Sequence, residues 1–195
     1  MEKQSNTFQI LAIPESSRRR SYNRQLLEVA GRAAPDGVTV EMVDLALIPF
    51  YDGDVEAAGD PPAVRDLKAR VRAADALLIA TPEYNGAVPG LLQNAIDWAS
   101  RPYGASALVD KPVAIIGASP GDGGTARAQR MLRQTLTNTR ALPLPAPELA
   151  VPRAASLFDD EGALADLGLA EQLREVIVAL VDWTRQQSVN DTRAA

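Results

Sequence analysis

Short apolar runs and segments of helical period alternate along most of the chain. Four of the runs read as β-strands, at residues 8–13, 38–45, 76–81 and 112–118. The first, third and fourth are almost continuously apolar, which is typical of parallel strands that are covered on both faces. The second alternates between apolar and polar residues, which predicts a strand nearer the edge of the sheet.

A segment of helical period follows each run. The spacing predicts helices at residues 21–34, 62–74, 89–100 and 125–139, and a long last helix at about 167–187. A fifth strand is expected within "RALPLPAPELAV", where the prolines restrict it to an edge position or a strand start.

Strands that alternate with helices predict a parallel sheet with right-handed crossovers. A chain of 195 residues is long enough for one such domain and short for two. We therefore expect an α/β fold with a single flavodoxin-like, doubly wound, five-stranded sheet of order 2-1-3-4-5. The domain is expected to comprise residues 1–195, with a core at 7–187 and frayed or disordered ends.

Composition excludes several classes of function. The chain has no cysteine and no histidine, which removes disulfides, thiolate nucleophiles, zinc sites of the usual ligands and triads with a histidine base. "YDGDVE" and "FDDEG" hold acids that could bind a hard cation, but both read as solvated loops, so no metal site is expected. A net charge of −5 argues against a nucleic-acid partner.

The patterning also argues against a membrane protein. No run approaches the roughly 18 apolar residues that a membrane span needs. The N-terminal "MEKQSNTFQI" has no apolar stretch of the kind found in signal peptides. We expect a cytoplasmic protein.

Ligands of open parallel sheets bind beyond the carboxyl ends of the strands, where the strand order reverses. The first loop at this edge, "PESSRRRSYNR", leads into a helix whose N-terminus can bind an anion. Ser16, Ser21 and Asn23 add neutral donors and Arg18 a bidentate charged one, which together suit a phosphate monoester. The alternative is that Ser21 caps the helix and the arginines only solvate it.

The second loop, "PEYNG" at residues 82–86, follows a buried strand. Pro82 ends the strand, and Asn85 with Gly86 predicts a turn. Such a turn can direct backbone N–H and C=O groups at the edge of a planar polar ring, while Tyr84 offers an aromatic face. The alternative is a helix N-terminal turn with Glu83 near the helix dipole.

The third loop, "GASPGDGGTARAQ", partly matches three known motifs. Ser119 stands in G-x-S-x-G, but the chain has no histidine to act as its base. The dinucleotide fingerprint follows the wrong strand, and a phosphate-binding Walker loop would need a lysine here. What remains is a flexible glycine loop that a flat group can approach closely. With the phosphate cradle and the ring-edge loop, it points to a mononucleotide with a large ring, FMN.

At these motifs the chain resembles the NADPH-dependent FMN reductase family, which includes quinone and chromate reductases. The matching patterns are S-x-R-x-x-S-x-N, P-E-Y-N-G with the following helix, and S-x-G-x-x-G. The resemblance implies that FMN is bound by Ser16, Arg18, Ser21, Tyr22, Asn23, Pro82, Glu83, Tyr84, Asn85, Gly86, Ser119, Gly121 and Gly124. Members usually have glycine before the first serine, whereas Glu15 stands here and would repel a phosphate unless it turned away.

The resemblance also implies homodimers or homotetramers and an activity. NADPH or NADH would reduce the flavin, and a small-molecule acceptor (a quinone, a flavin, an azo compound or an oxyanion) would be reduced in turn, with no catalytic side chain. The alternatives are a flavodoxin-like electron carrier without nicotinamide turnover and a non-catalytic scaffold. The arginine-rich first loop favours the reductase, because NADPH is anionic.

Overall fold

The computed structural model describes residues 7–15, 21–158, 164 and 166–194. Its strands are β1 (Phe8–Pro14), β2 (Val38–Met42), β3 (Ala76–Ala80), β4 (Pro112–Ala118), β5 (Leu142–Pro143) and β6 (Leu149–Val151). Its helices are α1 (Tyr22–Ala33), α2 (Gly53–Ala58), α3 (Pro62–Ala73), α4 (Gly90–Ala99), α5 (Ala126–Asn138) and α6 (Leu167–Ala194). All strand pairs are parallel, in the order β2-β1-β3-β4-β5, which confirms the predicted topology.

The sheet has one apolar layer on each face. Leu11 and Ile13 of β1 pack on the side of α3, α4 and α5, while Ile10 and Ala12 pack on the side of α1 and α6. Every residue of β3 and β4 is buried, as the continuous apolar runs predict. Among the helices that the structure describes, none could cross a membrane.

The predicted fifth strand is two short strands that share one position in the sheet. β5 pairs with the start of β4, at Pro112 and Val113, and β6 pairs with its end, from Ile116 to Ala118. The prolines within residues 143–147 lack the N–H that a continuous ladder needs, so the pairing is interrupted between the two pieces.

Three further boundaries differ from the expectations. α2 occupies most of "YDGDVE", where a loop was predicted; it buries no side chain and is stabilised by Asp52, which accepts hydrogen bonds from the N–H groups of Asp54 and Val55 (2.8 and 3.4 Å). β2 ends at Met42 rather than at residue 45, and α6 continues to Ala194. Of "FDDEG", only Phe158 belongs to the described residues.

Candidate functional site

The tips of β1, β3 and β4 border one open cleft of about 540 Å³. This volume lies within the range of roughly 300–1,000 Å³ that is usual for small-molecule sites. The cleft is lined by Ser21, Tyr22, Asn23, Pro82, Glu83, Tyr84, Ala118, Ser119 and Pro120. Residues from all three predicted loops therefore meet at the switch point of the sheet.

The other predicted residues lie next to this lining or outside the described part of the chain. Asn85 and Gly86 continue the turn after Tyr84, and Gly121 and Gly124 lie farther along the third loop. Ser16 and Arg18 lie outside the described residues. Sequence reasoning missed Ala118 and Pro120, which line the cleft without any polar side chain to signal it.

The first turn of α1 is suited to an anion. Ser21 occupies the N-cap position and is buried, but its side chain makes no capping hydrogen bond within the described part of the chain. The first turn contains no acidic residue, so nothing in it opposes a negative charge at the positive end of the helix dipole. The alternative role of Ser21 as a side-chain cap is therefore wrong, and its side chain leaves the first N–H groups of α1 free of a hydrogen bond from Ser21.

Asn23 fixes this turn against the end of β4. Its side chain is buried, accepts a hydrogen bond from the N–H of Ala118 (2.8 Å) and donates one to the carbonyl of the same residue (3.0 Å). Tyr22 stacks on Phe158 with the ring centroids 5.9 Å apart. The buried Asn23 amide thus holds the start of α1 against the end of β4.

The second loop is a tight turn. Tyr84 and Ala87 exchange backbone hydrogen bonds of 3.2 and 3.0 Å, and Asn85 and Gly86 between them have positive φ angles of 54° and 77°. Positive φ at both central residues defines a type I′ turn, for which Asn-Gly is the preferred pair. The predicted turn is confirmed, and it leaves the Tyr84 ring half exposed beside the cleft.

Glu83 caps a helix, but α5 instead of the helix that follows it in the chain. Its carboxylate accepts hydrogen bonds from the backbone N–H groups of Arg127 (3.0 Å) and Ala128 (3.1 Å) and from Nε of Arg127 (2.7 Å). Burial raises the pKa of Glu83, but these hydrogen bonds and the Arg127 charge outweigh it and hold the pKa below its usual value. The second loop is therefore attached to the helix that follows the third.

The third loop is anchored to the chain after β6. The Ser119 hydroxyl donates to the carbonyl of Gly124 (2.7 Å), and the N–H groups of Arg153 and Ala154 donate to the carbonyls of Gly121 and Ser119 (3.2 and 3.0 Å). These bonds anchor the backbone of the loop at Ser119, Gly121 and Gly124.

The glycines of this region serve close packing. Gly124 has a φ of 56° and lies so close to β6 that an added Cβ would stand 2.9 Å from the carbonyl oxygen of Ala150. At Gly117, in β4, an added Cβ would overlap the carbonyl oxygen of Thr81 and Oγ1 of Thr125. Both glycines allow the backbone segments near the strand tips to approach closely. They do not line the cleft themselves, whereas residues between them in the chain do.

Glu15 lies at the end of β1, directly before the predicted phosphate cradle. Its N–H donates to the carbonyl of Ala80 (3.2 Å), the residue is 4% exposed, and Oε2 has no hydrogen-bond partner in the described part of the chain. Burial raises the pKa of this carboxyl from 4.5 to about 7. Near pH 7 the carboxyl is therefore only about half ionised, which reduces the repulsion of a phosphate expected from the sequence.

The residues present fit a phosphorylated planar ring. A helix start that has no acid in its first turn and no side-chain cap from Ser21 meets an aromatic side chain and the hydrogen-bonded turn after β3 at a single cleft. Within the described ranges, no group of three or more acidic side chains converges as a metal site would require.

Comparison with known proteins agrees with this chemistry. Residues 8–156 match the family model described as NADPH-dependent FMN reductase. An NAD(P)H-dependent FMN reductase of Pseudomonas aeruginosa is 46% identical over 93% of this chain and 98% of its own length, and a quinone reductase of Pseudomonas putida is 38% identical over 91% and 93%. The solved structure of FerB, a flavoenzyme NAD(P)H:(acceptor) oxidoreductase from Paracoccus denitrificans, superposes with a TM-score of 0.84 at 34% identity, covering 92% of this chain and 98% of that one. The chain belongs to the NADPH-dependent FMN reductase family.

Proposed function

We propose that this protein is an NAD(P)H-dependent oxidoreductase that uses bound FMN to pass electrons from a reduced nicotinamide to a quinone-type acceptor. The observation that carries the proposal is the cleft at the switch point, where the α1 start, the type I′ turn and the anchored third loop meet. Family membership and the activities in the names of the related proteins support it.

Each loop has its own part in holding FMN. Ser16, Arg18, Ser21 and the first turn of α1 would bind the phosphate, and Asn23 fixes that turn against the end of β4. Residues 82–86, with the aromatic face of Tyr84, would hold the ring together with Ser119 and Gly121, and Gly124 shapes the loop to which these two residues belong. When bound, FMN would supply the redox chemistry. The chain's residues bind, orient and surround it.

The acceptor is proposed to use the same open cleft as the nicotinamide. Because the described lining offers an aromatic face and backbone groups without a closed pocket, the site suits flat acceptors of several kinds: quinones first, then free flavins, azo compounds and oxyanions such as chromate. The arginines of the first loop favour NADPH over NADH, since a guanidinium binds a phosphate well.

We propose that the single domain, residues 1–195, assembles into homodimers or homotetramers in the cytoplasm, where reduced nicotinamides are available. Leu47 and Phe50 are 78% and 87% exposed on the loop between β2 and α2. Asn94 holds that loop by accepting from the N–H of Tyr51 (2.7 Å) and donating to the carbonyl of Pro49 (2.8 Å). Exposed apolar side chains on a rigid loop suit contact with a second copy.

Spectroscopy and turnover test the proposed function directly. We expect FMN to bind saturably and more tightly than riboflavin, because riboflavin lacks the phosphate. NADPH added anaerobically should bleach the bound flavin, and addition of 1,4-benzoquinone should restore the colour and sustain NADPH oxidation. Bound FMN without bleaching or turnover would show an electron carrier instead, and failure of FMN to bind would refute the proposal.

A further inference from the structure

The Glu83 carboxylate joins two walls of the cleft. It belongs to the second loop, but every partner it has among the described residues lies at the start of α5: the N–H groups of Arg127 and Ala128, and Nε and Nη2 of the Arg127 side chain. Arg127 and Ala128 occupy the second and third positions of α5, whose N–H groups an N-cap side chain ordinarily binds. Thr125, the N-cap residue itself, makes no such bond.

This arrangement leaves Glu83 little capacity for a ligand. Four donors converge on its two oxygens, and its side chain is only 8% exposed. Its charge is balanced by Arg127 and by the positive end of the α5 dipole, so a neighbouring flavin would meet a neutral pair. Arg127 also lies against the turn, because Nε is 3.7 Å from the position of an added Cβ at Gly86.

We propose that Glu83 is a positioning residue: as the N-cap of α5 supplied from the second loop, it sets the spacing between the turn at residues 82–86 and the third loop. This inference rests on the proposed function, since the spacing matters if a flat ring lies between these walls. The phosphate cradle is held separately, by Asn23 on Ala118. Loss of the Glu83 contacts therefore weakens the ring half of the site and leaves the phosphate half intact.

Three ligands distinguish the ring half of the site from the phosphate half. FMN occupies both halves, lumiflavin has the ring without the ribityl phosphate, and inorganic phosphate competes only for the phosphate cradle. In Glu83→Ala we expect the Kd for FMN and the Kd for lumiflavin to rise by the same factor, about tenfold, and the inhibition constant of phosphate against FMN to stay unchanged. The absorption spectrum of bound FMN should also shift, because the ring surroundings change.

Two further variants divide the contacts. Arg127→Ala keeps the backbone donors of α5 and should raise both ring affinities less, by about threefold. Glu83→Gln keeps an acceptor for the helix N–H groups, so it should fold. Its Kd values for FMN and lumiflavin should lie between those of wild type and Glu83→Ala. Arg130→Ala is the matched control, since Arg130 is an exposed arginine on the same helix, and it should behave as wild type.

The outcomes separate this inference from the proposed function. If wild type does not bind FMN, the proposed function fails. If wild type binds FMN and Glu83→Ala keeps its Kd and spectrum, or loses phosphate and lumiflavin affinity together, only the positioning role is overturned. Should Glu83→Ala not fold, wild-type lumiflavin affinity in both Glu83→Gln and Arg127→Ala overturns it equally.

Discussion

At the scale of single residues, two buried polar side chains, Asn23 in the first turn of α1 and Glu15 directly after β1, differ in their hydrogen bonding. The Asn23 amide bonds both the N–H and the carbonyl of Ala118 in β4. Glu15, in contrast, has an oxygen with no partner within the described residues. An unsatisfied buried polar group costs on the order of 1–3 kcal/mol, and more if it is charged. Glu15 therefore stores an instability that depends on its protonation.

Glu15→Gln should show this dependence. Because the folded-state pKa of about 7 is above the ordinary 4.5, the native state retains a proton that the unfolded state releases, so wild-type stability falls as pH rises from 4.5 to 7. The stability gained by Glu15→Gln relative to wild type should therefore be about 2 kcal/mol greater at pH 8.5 than at pH 5.5. Urea unfolding of the FMN-free proteins at both pH values measures it. An equal difference at the two pH values would contradict the assignment.

Arg18 provides a second prediction at this scale. If it binds the FMN phosphate, Arg18→Ala should weaken FMN binding by about 1.5–3 kcal/mol, the value of a charged hydrogen-bonded contact. Arg32→Ala, which removes the same charge from the exposed last turn of α1, serves as the control. Fluorescence titration with FMN measures both, and equal affinities in the two variants would mean that Arg18 only adds surface charge.

At the scale of elements, the sequence predicts those parts whose cause is local. β1, β3 and β4 and their order follow from continuous apolar runs separated by helical periods. α2 does not, because a helix of six residues that buries no side chain has no apolar period to detect. The split of the fifth strand depends on which prolines stand at positions where an N–H would bond β4. The sequence pattern does not give the register of this pairing.

The same limit applies to the site. The turn at Asn85 and Gly86 is determined by two adjacent residues, so it could be predicted. The cap from Glu83 to α5 joins residues 44 positions apart, so it depends on the finished sheet. Glu15 could be flagged as an unusual residue, but its burial and raised pKa come from neighbours that only the fold assembles.

Packing between β4 and α5 yields a prediction about stability. Gly117→Ala should destabilise the protein by about 3 kcal/mol or more, because the added Cβ would overlap the Thr81 carbonyl and Thr125 Oγ1, and backbone must move. Gly90→Ala, at the start of α4 with no atom within 4 Å of the added Cβ, should be neutral or slightly stabilising. Thermal unfolding compares the two, and similar midpoints would contradict the close approach.

At the scale of the whole molecule, elements that do not line the cleft hold the loops around it in place. α5 and the segment after β6 hold the second and third loops, while α4 holds the loop that exposes Leu47 and Phe50. Loops that are held in this way need little ordering when a ligand binds, which favours affinity.

Assembly can be tested on that exposed loop. Phe50→Asp should shift the protein toward monomers in sedimentation velocity, because a charge replaces an apolar side chain in the proposed interface. Val189→Asp, a comparable change at a half-exposed position on α6, should leave the assembly as in wild type. A monomeric wild type, or a Phe50→Asp protein that assembles normally, would contradict the proposed oligomer.

The interrupted fifth position of the sheet has a consequence for solubility. A long, flat outer strand presents a row of free N–H and C=O groups on which foreign chains can grow into fibrils. Here that flank consists of two strands of two and three residues with prolines between them, so an incoming strand finds no continuous template. The prolines that weaken the last strand thereby remove the template for side-by-side aggregation at this edge of the sheet.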